Sequence, residues 1–509
     1  VLARNGEVWF TDIPSVWKLS PAPAGKDLTP PPRTPLASQP KVHQPGWQAE
    51  EVFRGFGVRF SFTGHDLHGL KLGPDGRLYF SLGDRGAHLT TREGVVIDLP
   101  DEGAVFRCEL DGSRLEVVHR GLRNPQELAF NDLGDLFTGD NDSDQGDRER
   151  WVEVIEGADS GWRVGHQHAP LGQAGLWNLE RLWVPHFDGQ ATYLMPPIAN
   201  IGDGPSGLVY NYGTSLPKPL AHRFLLAYFK GTSARSGVYS LAVRPTGGSY
   251  ELVAHDEFVW NSLVPDVDLG PDGSIYFADW HEGWPKSNKG RLYRSVFPEV
   301  AADPVTRETA QLLADGFRPR SESELLRLLG HRDQRVRLES QYELANRGGA
   351  SWTGLKTTAL SPGSTQARVH ALWGLSQIVR LSEPPLQAPT SKWVTELEAL
   401  LPLLKDPDPE IRAQAARLFG DAQWVDASDP LAELVLAETS ARVRRFAGLA
   451  LAKAAYGWRR GPARSPAPAE SGTAGGQAVQ GADGNAWPLL VRILEQAPAD
   501  DRSLRHAAT

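Results

Sequence analysis

Residues 1–297 follow the alternation of apolar and polar positions that is typical of β-strands, and glycine, proline, aspartate and asparagine interrupt it at short intervals. One phrase recurs, in which a tight turn leads into a strand of β-branched or aromatic residues. The phrase stands at 5–10, 75–80, 133–137 and 272–277. Around its second copy the pattern predicts strands at 67–72, 77–82, 104–110 and 114–119. Repeated four-stranded units of this kind indicate the blades of a β-propeller.

The number of blades follows from how often the unit repeats. Three further units begin near residues 126, 206 and 265. A partial unit stands at the start of the chain, where residues 17–19 fit a third strand. The sequence therefore predicts four blades and a partial one. Because an open blade edge invites aggregation, we expect strands that precede Val1 to close the ring. A β-sandwich would also contain short strands, but the repeated Gly-Pro-Asp-Gly turn favours the propeller.

After residue 297 the apolar positions take the period of helices. Helix pairs are predicted around branched anchors that are 33, 42 and 32 residues apart. The anchors are Val336, Val369, Ile411 and Val443, and residues 504–508 fit a further pair. Such repeats bury their apolar faces only against neighbours, which predicts a HEAT-like α-solenoid at 321–509 after a linker at 298–320. The Pro-, Ala- and Gly-rich stretch 461–484 has no period, and we expect it to be a disordered insertion.

Composition and charge exclude several classes of protein. At 509 residues the chain is long enough for two or three domains. A net charge of −9 argues against a nucleic-acid-binding surface, which would be basic. No stretch approaches the length of a transmembrane helix. Cys108 is the only cysteine, which excludes an intrachain disulfide, a cysteine zinc cluster and covalent haem, and we expect it inside a strand. The chain opens with strand character rather than a leader, so we expect a processed or truncated protein.

Six short motifs carry a resemblance to known proteins. They are Gly-His-Asp-Leu-His-Gly at 64–69, Gly-Asp-Arg-Gly at 83–86, Gly-Leu-Arg-Asn-Pro-Gln-Glu-Leu at 121–128, Gly-Asp-Asn-Asp-Ser-Asp at 139–144, Asp-Ser-Gly-Trp at 159–162 and Asp-Val-Asp-Leu-Gly-Pro-Asp-Gly at 266–273. With them, residues 1–297 resemble the glucose/sorbosone dehydrogenase type of six-bladed propeller, the fold of soluble quinoprotein sugar dehydrogenases. A closer resemblance is to membrane-bound dehydrogenases of planctomycetes and verrucomicrobia, in which HEAT repeats and often a c-type cytochrome follow the propeller. The helical half is similar by pattern alone, and no Cys-x-x-Cys-His motif occurs.

The resemblance implies an oxidoreductase that oxidises a sugar or polyol hydroxyl with pyrroloquinoline quinone and Ca²⁺ and passes electrons to a cytochrome partner. It also implies a bacterial protein of the periplasm or cell surface. In the family a histidine on a blade turn takes the hydroxyl proton, and His65 matches that position by its spacing to the Gly-Pro-Asp-Gly turn. Histidine suits this task since its pKa lies near neutrality. A structural role, in which the ring bonds backbone carbonyls, is equally open for His65 and is favoured for His68.

Three residues match positions that contact the quinone in the family. Arg123 and Asn124 match an Arg-Asn pair, and Lys230 matches a lysine at a strand end. A guanidinium can bind carboxylates or carbonyls through two hydrogen bonds, although an arginine that pins a turn is the alternative. The family also carries two arginines just before the last blade, where this chain reads Asn-Ser-Leu-Val-Pro-Asp at 261–266. Their loss removes hydrogen bonds of about 1.5–3 kcal/mol each, so an altered cofactor, or none, fits equally well.

An acidic loop follows the first strands of the blade that begins near residue 126. Its oxygen-bearing side chains are Asp140, Asn141, Asp142, Asp144 and Asp147. Carboxylate and amide oxygens are the ligands that Ca²⁺ prefers, and carboxylates this close repel one another unless a cation neutralises them. The resemblance implies Ca²⁺ in this loop, bound largely by main-chain oxygens near 141–143. The spacing does not fit an EF-hand, and a solvated acidic turn is the alternative.

Two functions of different classes remain open. The first is the oxidoreductase, with His65 as the base. The second is a module that holds a glycan or protein on the loop-rich end of the propeller and docks a partner on the concave face of the helical repeats. The absent arginines and haem favour the second. A hydrolase or lyase is weaker, since no nucleophile motif such as Gly-x-Ser-x-Gly occurs. Four tryptophans near loops suit sugar stacking or core filling: Trp177, Trp260, Trp280 and Trp284.

Overall fold

A computed structural model gives the architecture of the chain. It describes residues 2–4, 6–21, 46–58, 64–143, 147–163, 195–202, 204–283, 289–382, 393–456, 495, 498 and 501–507. Strands fill the N-terminal part and helices the C-terminal part, as the change of hydrophobic period after residue 297 predicts. The predicted insertion at 461–484 lies outside the described residues. None of the described helices combines the length and the apolar character that crossing a bilayer requires.

The described strands of the N-terminal part form five successive antiparallel sheets. The first sheet comprises β1 (Leu2–Arg4), β2 (Glu7–Asp12), β3 (Ser15–Pro21) and β4 (Trp47–Arg54). The second comprises β5 (Leu67–Leu72), β6 (Leu78–Leu82), β9 (Gly103–Cys108) and β10 (Glu116–Leu122), and a hairpin of β7 (Ala87–Thr90) and β8 (Val96–Leu99) stands between β6 and β9. The third comprises β11 (Pro125–Phe130), β12 (Leu136–Asp140), β13 (Arg150–Val154) and β15 (Ala199–Asn200), while β14 (Ala158–Asp159) adds in parallel to β10. The fourth comprises β16 (Pro205–Tyr210), β17 (Arg223–Tyr228), β18 (Gly237–Thr246) and β19 (Ser249–Trp260), and the fifth β20 (Asp266–Leu269), β21 (Ser274–Trp280) and β22 (Gly290–Val296).

The sheets follow one another as propeller blades do. The first strands of neighbouring sheets pack together, β5 on β11, β11 on β16 and β16 on β20. The partial unit predicted at the start is a complete four-stranded sheet, and the last sheet has three strands. This succession is consistent with a propeller-like fold. The closed six-bladed ring stays a prediction, because the described residues form five such sheets.

The cores between neighbouring sheets are apolar and aromatic. Phe80 and Phe106 stack with ring centroids 5.3 Å apart, and Phe56 meets both rings edge-on. Each fully buried phenylalanine contributes about 1.5–3 kcal/mol by leaving water. Cys108 is fully buried at the end of β9, where burial raises the pKa of its thiol, so it is the strand residue that the sequence predicts.

The described helices of the C-terminal part form a chain of packed pairs. They are α1 (Pro298–Ala302), α2 (Pro304–Asp315), α3 (Glu322–Leu328), α4 (Gln334–Asn346), α5 (Trp352–Leu360), α6 (Thr365–Ser382), α7 (Trp393–Glu398), α8 (Pro409–Asp421), α9 (Ser428–Ala437), α10 (Ala441–Tyr456) and α11 (Arg502–His506). Helix α3 packs on α4, α5 on α6 and α9 on α10. The stretch predicted as a linker, 298–320, contains α1 and α2. This is the packing expected of an α-solenoid, and its HEAT type stays a prediction.

Four helices, α4, α6, α8 and α10, pack side by side and form the helix row. The row lies on the hairpin turns between the first and second strands of the sheets. At the turn 73–76, Gln341 and Tyr342 of α4 donate hydrogen bonds of 2.6 and 2.8 Å to backbone carbonyl oxygens. From α6, Gln377 and Arg380 donate to two carbonyls of the same turn, at 2.8 and 2.6 Å. The polar side chains of the repeats therefore bind the backbone of the predicted Gly-Pro-Asp-Gly turn.

The turn 131–135 is bound in the same way. Gln334 of α4 and Gln414 of α8 donate to its carbonyl oxygens at 2.8 and 3.0 Å. Gly134 has a φ of +75°, and a Cβ there would lie 2.7 Å from the ring of Trp373 on α6. This face of the repeats thus contacts the sheets of the same chain. Docking of a partner protein on the helical repeats stays a prediction.

A buried ionic cluster joins α10 to the third sheet. Asp135 lies 2.8 Å from Arg442 and 3.6 Å from Arg445, measured between side-chain oxygen and nitrogen. Arg445 also donates to Glu153 at 2.6 Å. Asp135, Arg445 and Glu153 are almost completely removed from solvent, and Arg442 is 13% exposed. In such a cluster the attraction between the charges offsets the free energy of removing them from water only when every partner is present.

One histidine near this contact stays neutral in the fold. His119 of β10 is fully buried, with Nδ1 accepting from the Ile155 N–H at 3.2 Å and Nε2 lying 3.0 Å from Ser160 Oγ. Burial, assisted by the neighbouring His506 of α11, lowers the pKa of His119 to about 3. The folded protein therefore disfavours protonation of His119.

Acid is expected to destabilise the protein through His119. Below pH 6.5 the unfolded chain protonates His119, whereas the folded chain does so only near pH 3. The unfolded state therefore binds more protons, and the free energy of unfolding decreases as the pH is lowered. Between pH 7.5 and 4.5 this one group contributes a loss on the order of 2 kcal/mol, and urea unfolding at the two values measures it. In His119→Gln the loss should be smaller, whereas the exposed His88→Gln should behave as wild type. Equal acid sensitivity of His119→Gln and wild type would contradict the assignment.

Candidate active site at the blade rim

The predicted catalytic and cofactor residues lie at the strand ends remote from the helix row. Strand β5 begins two residues after His65 and runs to the bound turn 73–76, and β6 returns to Asp84. We use the name blade rim for the residues at this end of the sheets, which are 64–66, 83–85, 121–126, 140–143 and Trp162. The helical half therefore packs on one end of the sheets and leaves the blade rim at the other.

His65 is held by a carboxylate that the sequence analysis did not single out. Its Nδ1 lies 2.8 Å from Asp84 Oδ1, and both side chains are buried. The backbone N–H of Asp84 donates to the Arg123 carbonyl at 2.7 Å, which ties the loop to the next blade. A carboxylate on Nδ1 favours the tautomer with its proton there and leaves the lone pair on Nε2. A histidine that acts as a base needs this arrangement.

Arg123 and Asn124, which match cofactor-contacting positions, lie beneath the surface next to the loop that carries His65. Their side chains are about 2% and 1% exposed. Both backbone N–H groups donate to Asp140 Oδ1, at 3.0 and 2.7 Å. The Asn124 side-chain amide donates to the carbonyl of Gly64 at 3.2 Å, one residue before His65. In this structure the pair supports the loop that carries His65.

His68 occupies the structural position that the sequence favours for it. Its Nε2 lies 2.9 Å from the Gly64 carbonyl and 3.3 Å from the Asp66 N–H. Burial lowers the pKa of His68. Both contacts are to backbone atoms, so His68 helps to shape the loop before β5.

Asp140, predicted as a calcium ligand, uses its carboxylate on protein donors. Besides the two backbone N–H groups, Oδ2 accepts from Arg150 Nε at 2.9 Å. Arg150 also donates to the carbonyl of Asn141, at 2.6 Å. Asp140 is fully buried, so these donors neutralise its charge. The loop is therefore anchored by an Asp–Arg pair that the sequence pattern does not reveal.

Three further predicted calcium ligands, Asn141, Asp142 and Asp147, are among the described residues. Asp142 and Asp147 are buried, and Asp147 Oδ1 accepts from the N–H and Oγ of Ser143, at 2.8 and 2.5 Å. Asp144 lies outside the described residues. Within the part of the chain that the structure describes, no three His, Cys, Asp or Glu side chains are grouped to hold a metal ion. Calcium in this loop stays a prediction.

Glu149 is a candidate that sequence reasoning missed. It is fully buried, and its Oε2 accepts from the Gly204 N–H at 3.0 Å. Burial, with the nearby negative charges of Asp142 and Asp140, raises the pKa of Glu149 to about 8. Oε1 finds no hydrogen-bond partner among the described residues. A glutamate between two arginines in sequence gives no sign of burial, so no sequence signal marks it.

Lys230 lies half-buried at the end of β17, and its positive charge acts on the Glu149 carboxyl. The Ser236 hydroxyl oxygen accepts from its backbone N–H at 2.8 Å. In the segment 261–266, where the family has arginines, Leu263 and Val264 are buried in the core. The two apolar residues of this segment therefore pack in the core.

Two of the four tryptophans considered for sugar stacking are described. Trp260 stacks on Tyr228, with ring centroids 5.7 Å apart. Trp280 stacks on Phe229, with centroids 5.4 Å apart. Trp177 and Trp284 lie outside the described residues. The two described rings thus pack on aromatic neighbours of the fourth sheet.

Comparisons with known proteins identify no family for this chain. No family model matches the chain, and no curated protein matches it. Among solved structures it is similar to the pyrroloquinoline quinone-bound form of an aldose sugar dehydrogenase from Streptomyces coelicolor, with 18% sequence identity and a TM-score of 0.35. The alignment covers 57% of this chain and 74% of that one. A similarity this weak assigns neither a family nor a function.

Proposed function

We propose that the blade rim is the active site of an oxidoreductase that removes hydrogen from a sugar or polyol hydroxyl. The observation that carries the proposal is the buried contact of 2.8 Å between His65 Nδ1 and Asp84 Oδ1. A carboxylate-bound imidazole at the end of a rigid strand is equipped to take a proton from a hydroxyl group. The resemblance of the surrounding motifs to sugar dehydrogenases gives the substrate class.

In this proposal His65 takes the hydroxyl proton on Nε2. Asp84 then faces a positively charged ring, and the buried setting strengthens that attraction compared with water. Because Asp84 is fixed through its own backbone N–H and through Oδ2, the ring does not have to reorient during the step. Asp84 is therefore a positioning residue and His65 the catalytic one.

A quinone-type cofactor, when bound, supplies the acceptor for the hydride that leaves the carbon. Of the three residues predicted to hold it, Lys230 has part of its side chain in solvent, whereas Arg123 and Asn124 are buried. We assign the direct contact to Lys230 and the support of the rim to the other two. Transfer of electrons to a cytochrome partner and a bacterial periplasmic or cell-surface location are part of the same proposal.

Calcium at the acidic loop is the second part of the proposal. Asp147 Oδ2 and Glu149 Oε1 are buried carboxylate oxygens that no described residue satisfies. Two such oxygens, with main-chain oxygens of 141–143, suit Ca²⁺ better than an apolar core. Asp140 is not included, because Arg150 and two backbone N–H groups already occupy it.

Adding Ca²⁺ is expected to raise the free energy of unfolding of the whole chain. A ligand at a hundredfold excess over its Kd contributes about 2.7 kcal/mol, which thermal unfolding with and without chelator would show. Glu149→Gln removes a carboxylate and should abolish most of the gain, while the exposed Asp98→Asn should keep it. An equal gain from Mg²⁺, or a gain that survives Glu149→Gln, would argue against this site.

Cofactor binding is the direct test of the proposed reaction. Titration of the protein with pyrroloquinoline quinone in the presence of Ca²⁺ is expected to saturate, and dye-linked oxidation of aldoses or polyols should follow. Lys230→Ala should weaken binding by about tenfold or more, because one charge-assisted contact is worth about 1.5–3 kcal/mol. Lys218→Ala, a lysine at the other end of the sheets, is the control. If the titration shows no saturable binding, the proposal fails.

A second candidate function is a binding module without catalysis. The segment 261–266 supplies no cation for a quinone, and Arg123 and Asn124 are buried. In this alternative the blade rim holds a glycan or protein. Saturable binding of an oligosaccharide without turnover would favour it.

A further inference from the structure

Trp162 belongs to the blade rim and contacts three charged side chains near His65. Its side chain is about 1% exposed, and its backbone N–H donates to the Gly121 carbonyl at 2.9 Å. The indole N–H donates to Asp84 Oδ2 at 3.0 Å. The guanidinium carbons of Arg123 and Arg150 lie 5.8 and 5.5 Å from the ring centroid. One side chain therefore touches the His65 partner and both arginines.

The indole fixes the orientation of the Asp84 carboxylate. An indole N–H is a donor only, so the oxygen that it meets must accept. One oxygen of Asp84 accepts from Trp162 and the other lies 2.8 Å from His65 Nδ1, so contacts on both oxygens set the plane of the carboxylate. The two arginines are attracted to the ring by about 0.5–2 kcal/mol each and keep it in place.

The buried tryptophans of the described residues differ in how they use the indole N–H. In the helical half, Trp352 donates to Glu396 at 2.6 Å and Trp373 to Gln414 at 2.9 Å. The indole nitrogens of Trp151 and Trp424 are buried and find no hydrogen-bond partner among the described residues. A buried indole in this fold therefore does not need a partner for its N–H. At Trp162 the same group is directed at the carboxylate that binds the candidate base.

We propose that Trp162 is a positioning residue for His65, which sets the tautomer of the imidazole by locking the Asp84 carboxylate between the indole N–H and Nδ1. The role of Trp162 in catalysis rests on the proposed function, whereas its effect on the tautomer of His65 does not. It assigns to the Asp-Ser-Gly-Trp motif at 159–162 a task in the site.

The first test removes the indole N–H and keeps an aromatic ring. Long-range ¹H–¹⁵N spectra of the full chain at pH 8 report the tautomer of each neutral histidine, and a His65→Gln sample assigns the signal. Wild type is expected to show one Nδ1–H tautomer, and Trp162→Phe a mixture of both. In the dehydrogenase assay, kcat should fall about tenfold with KM unchanged. Trp424→Phe, which loses an unused N–H, should show one tautomer and unchanged kcat.

A second variant keeps the test decisive if Trp162→Phe folds poorly. In Asp84→Asn the indole N–H selects the amide oxygen, so the amide NH₂ faces His65 Nδ1 and forces the Nε2–H tautomer. Adding Trp162→Phe to Asp84→Asn frees the amide to turn and restores Nδ1–H. A single tautomer in Trp162→Phe, or an Nδ1–H tautomer in Asp84→Asn alone, overturns the inference. Tautomer changes as expected without any dehydrogenase activity in wild type would support the inference and refute only the proposed reaction.

Discussion

Replacement of His65 by glutamine is expected to lower kcat/KM for oxidation of a sugar or polyol hydroxyl by about 100- to 10,000-fold, the range that a general base contributes. Glutamine keeps a donor near Asp84 but cannot take a proton at neutral pH. The folded state should persist, because the imidazole makes one described hydrogen bond, to Asp84. Dye-linked turnover with pyrroloquinoline quinone and Ca²⁺, together with thermal unfolding, measures both effects.

The protein contains a matched control for this substitution. His88 also pairs with a carboxylate, with Nδ1 3.1 Å from Asp98 Oδ1, but its side chain is 77% exposed. His88→Gln makes the same chemical change on the β7–β8 hairpin, where the ring is exposed to solvent, and kcat/KM should stay at the wild-type value. Equal activity of the two variants would remove His65 from the role of base.

Truncation of Asp135 to alanine is expected to lower the free energy of unfolding by about 3–5 kcal/mol, the usual cost of removing one partner of a buried ion pair. Arg442 and Arg445 would then lose the carboxylate that joins α10 to the third sheet. Because this contact links the two halves of the chain, we also expect the single unfolding transition to separate into two. Urea unfolding followed by tryptophan fluorescence and far-ultraviolet circular dichroism would show both changes.

A surface pair provides the comparison. Glu251 lies 2.7 Å from Arg244, and both side chains are well exposed. Exposed pairs of this kind contribute little, since water solvates the separated charges. Glu251→Ala should therefore leave the unfolding midpoint unchanged. A loss of stability in Asp135→Ala no greater than in Glu251→Ala would show that the buried cluster does not hold the two halves together.

The strands could be predicted because their signals are local. The predicted strand 67–72 coincides with β5, and 77–82, 104–110 and 114–119 overlap β6, β9 and β10 within a few residues. Alternation of period two and a turn with glycine act within a few residues of each other. The switch to helical period after residue 297 is local in the same sense. The division into a strand-rich first part and a helical second part, and the order of the elements, therefore followed from the sequence.

The site could be predicted only in part, because its decisive contacts join distant residues. Sequence motifs marked His65, Arg123 and Asn124, and the structure places all three at the same end of the sheets, while their roles stay predictions. Asp84, which binds His65, follows it by 19 residues in the chain. Trp162, whose indole N–H donates to Asp84, follows His65 by 97 residues. Pairing of Asp140 with Arg150 likewise depends on two neighbouring strands. The acidic composition of the loop led to Asp140 being predicted as a metal ligand. The sequence alone does not show whether a metal ion or an arginine neutralises a buried carboxylate, and here the cation is Arg150.

The contact between the helix row and the turns has a consequence for how this protein can vary. Hairpin turns on a protein surface usually tolerate added residues. Here a Cβ at Gly76 would lie 2.9 Å from Gln377, and one at Gly134 would lie 2.7 Å from Trp373, so neither turn has room to lengthen. The loops of the blade rim carry no such restriction from the helix row. New specificities are therefore free to arise at one end of the sheets, while the other end is held to a fixed length by its own C-terminal half.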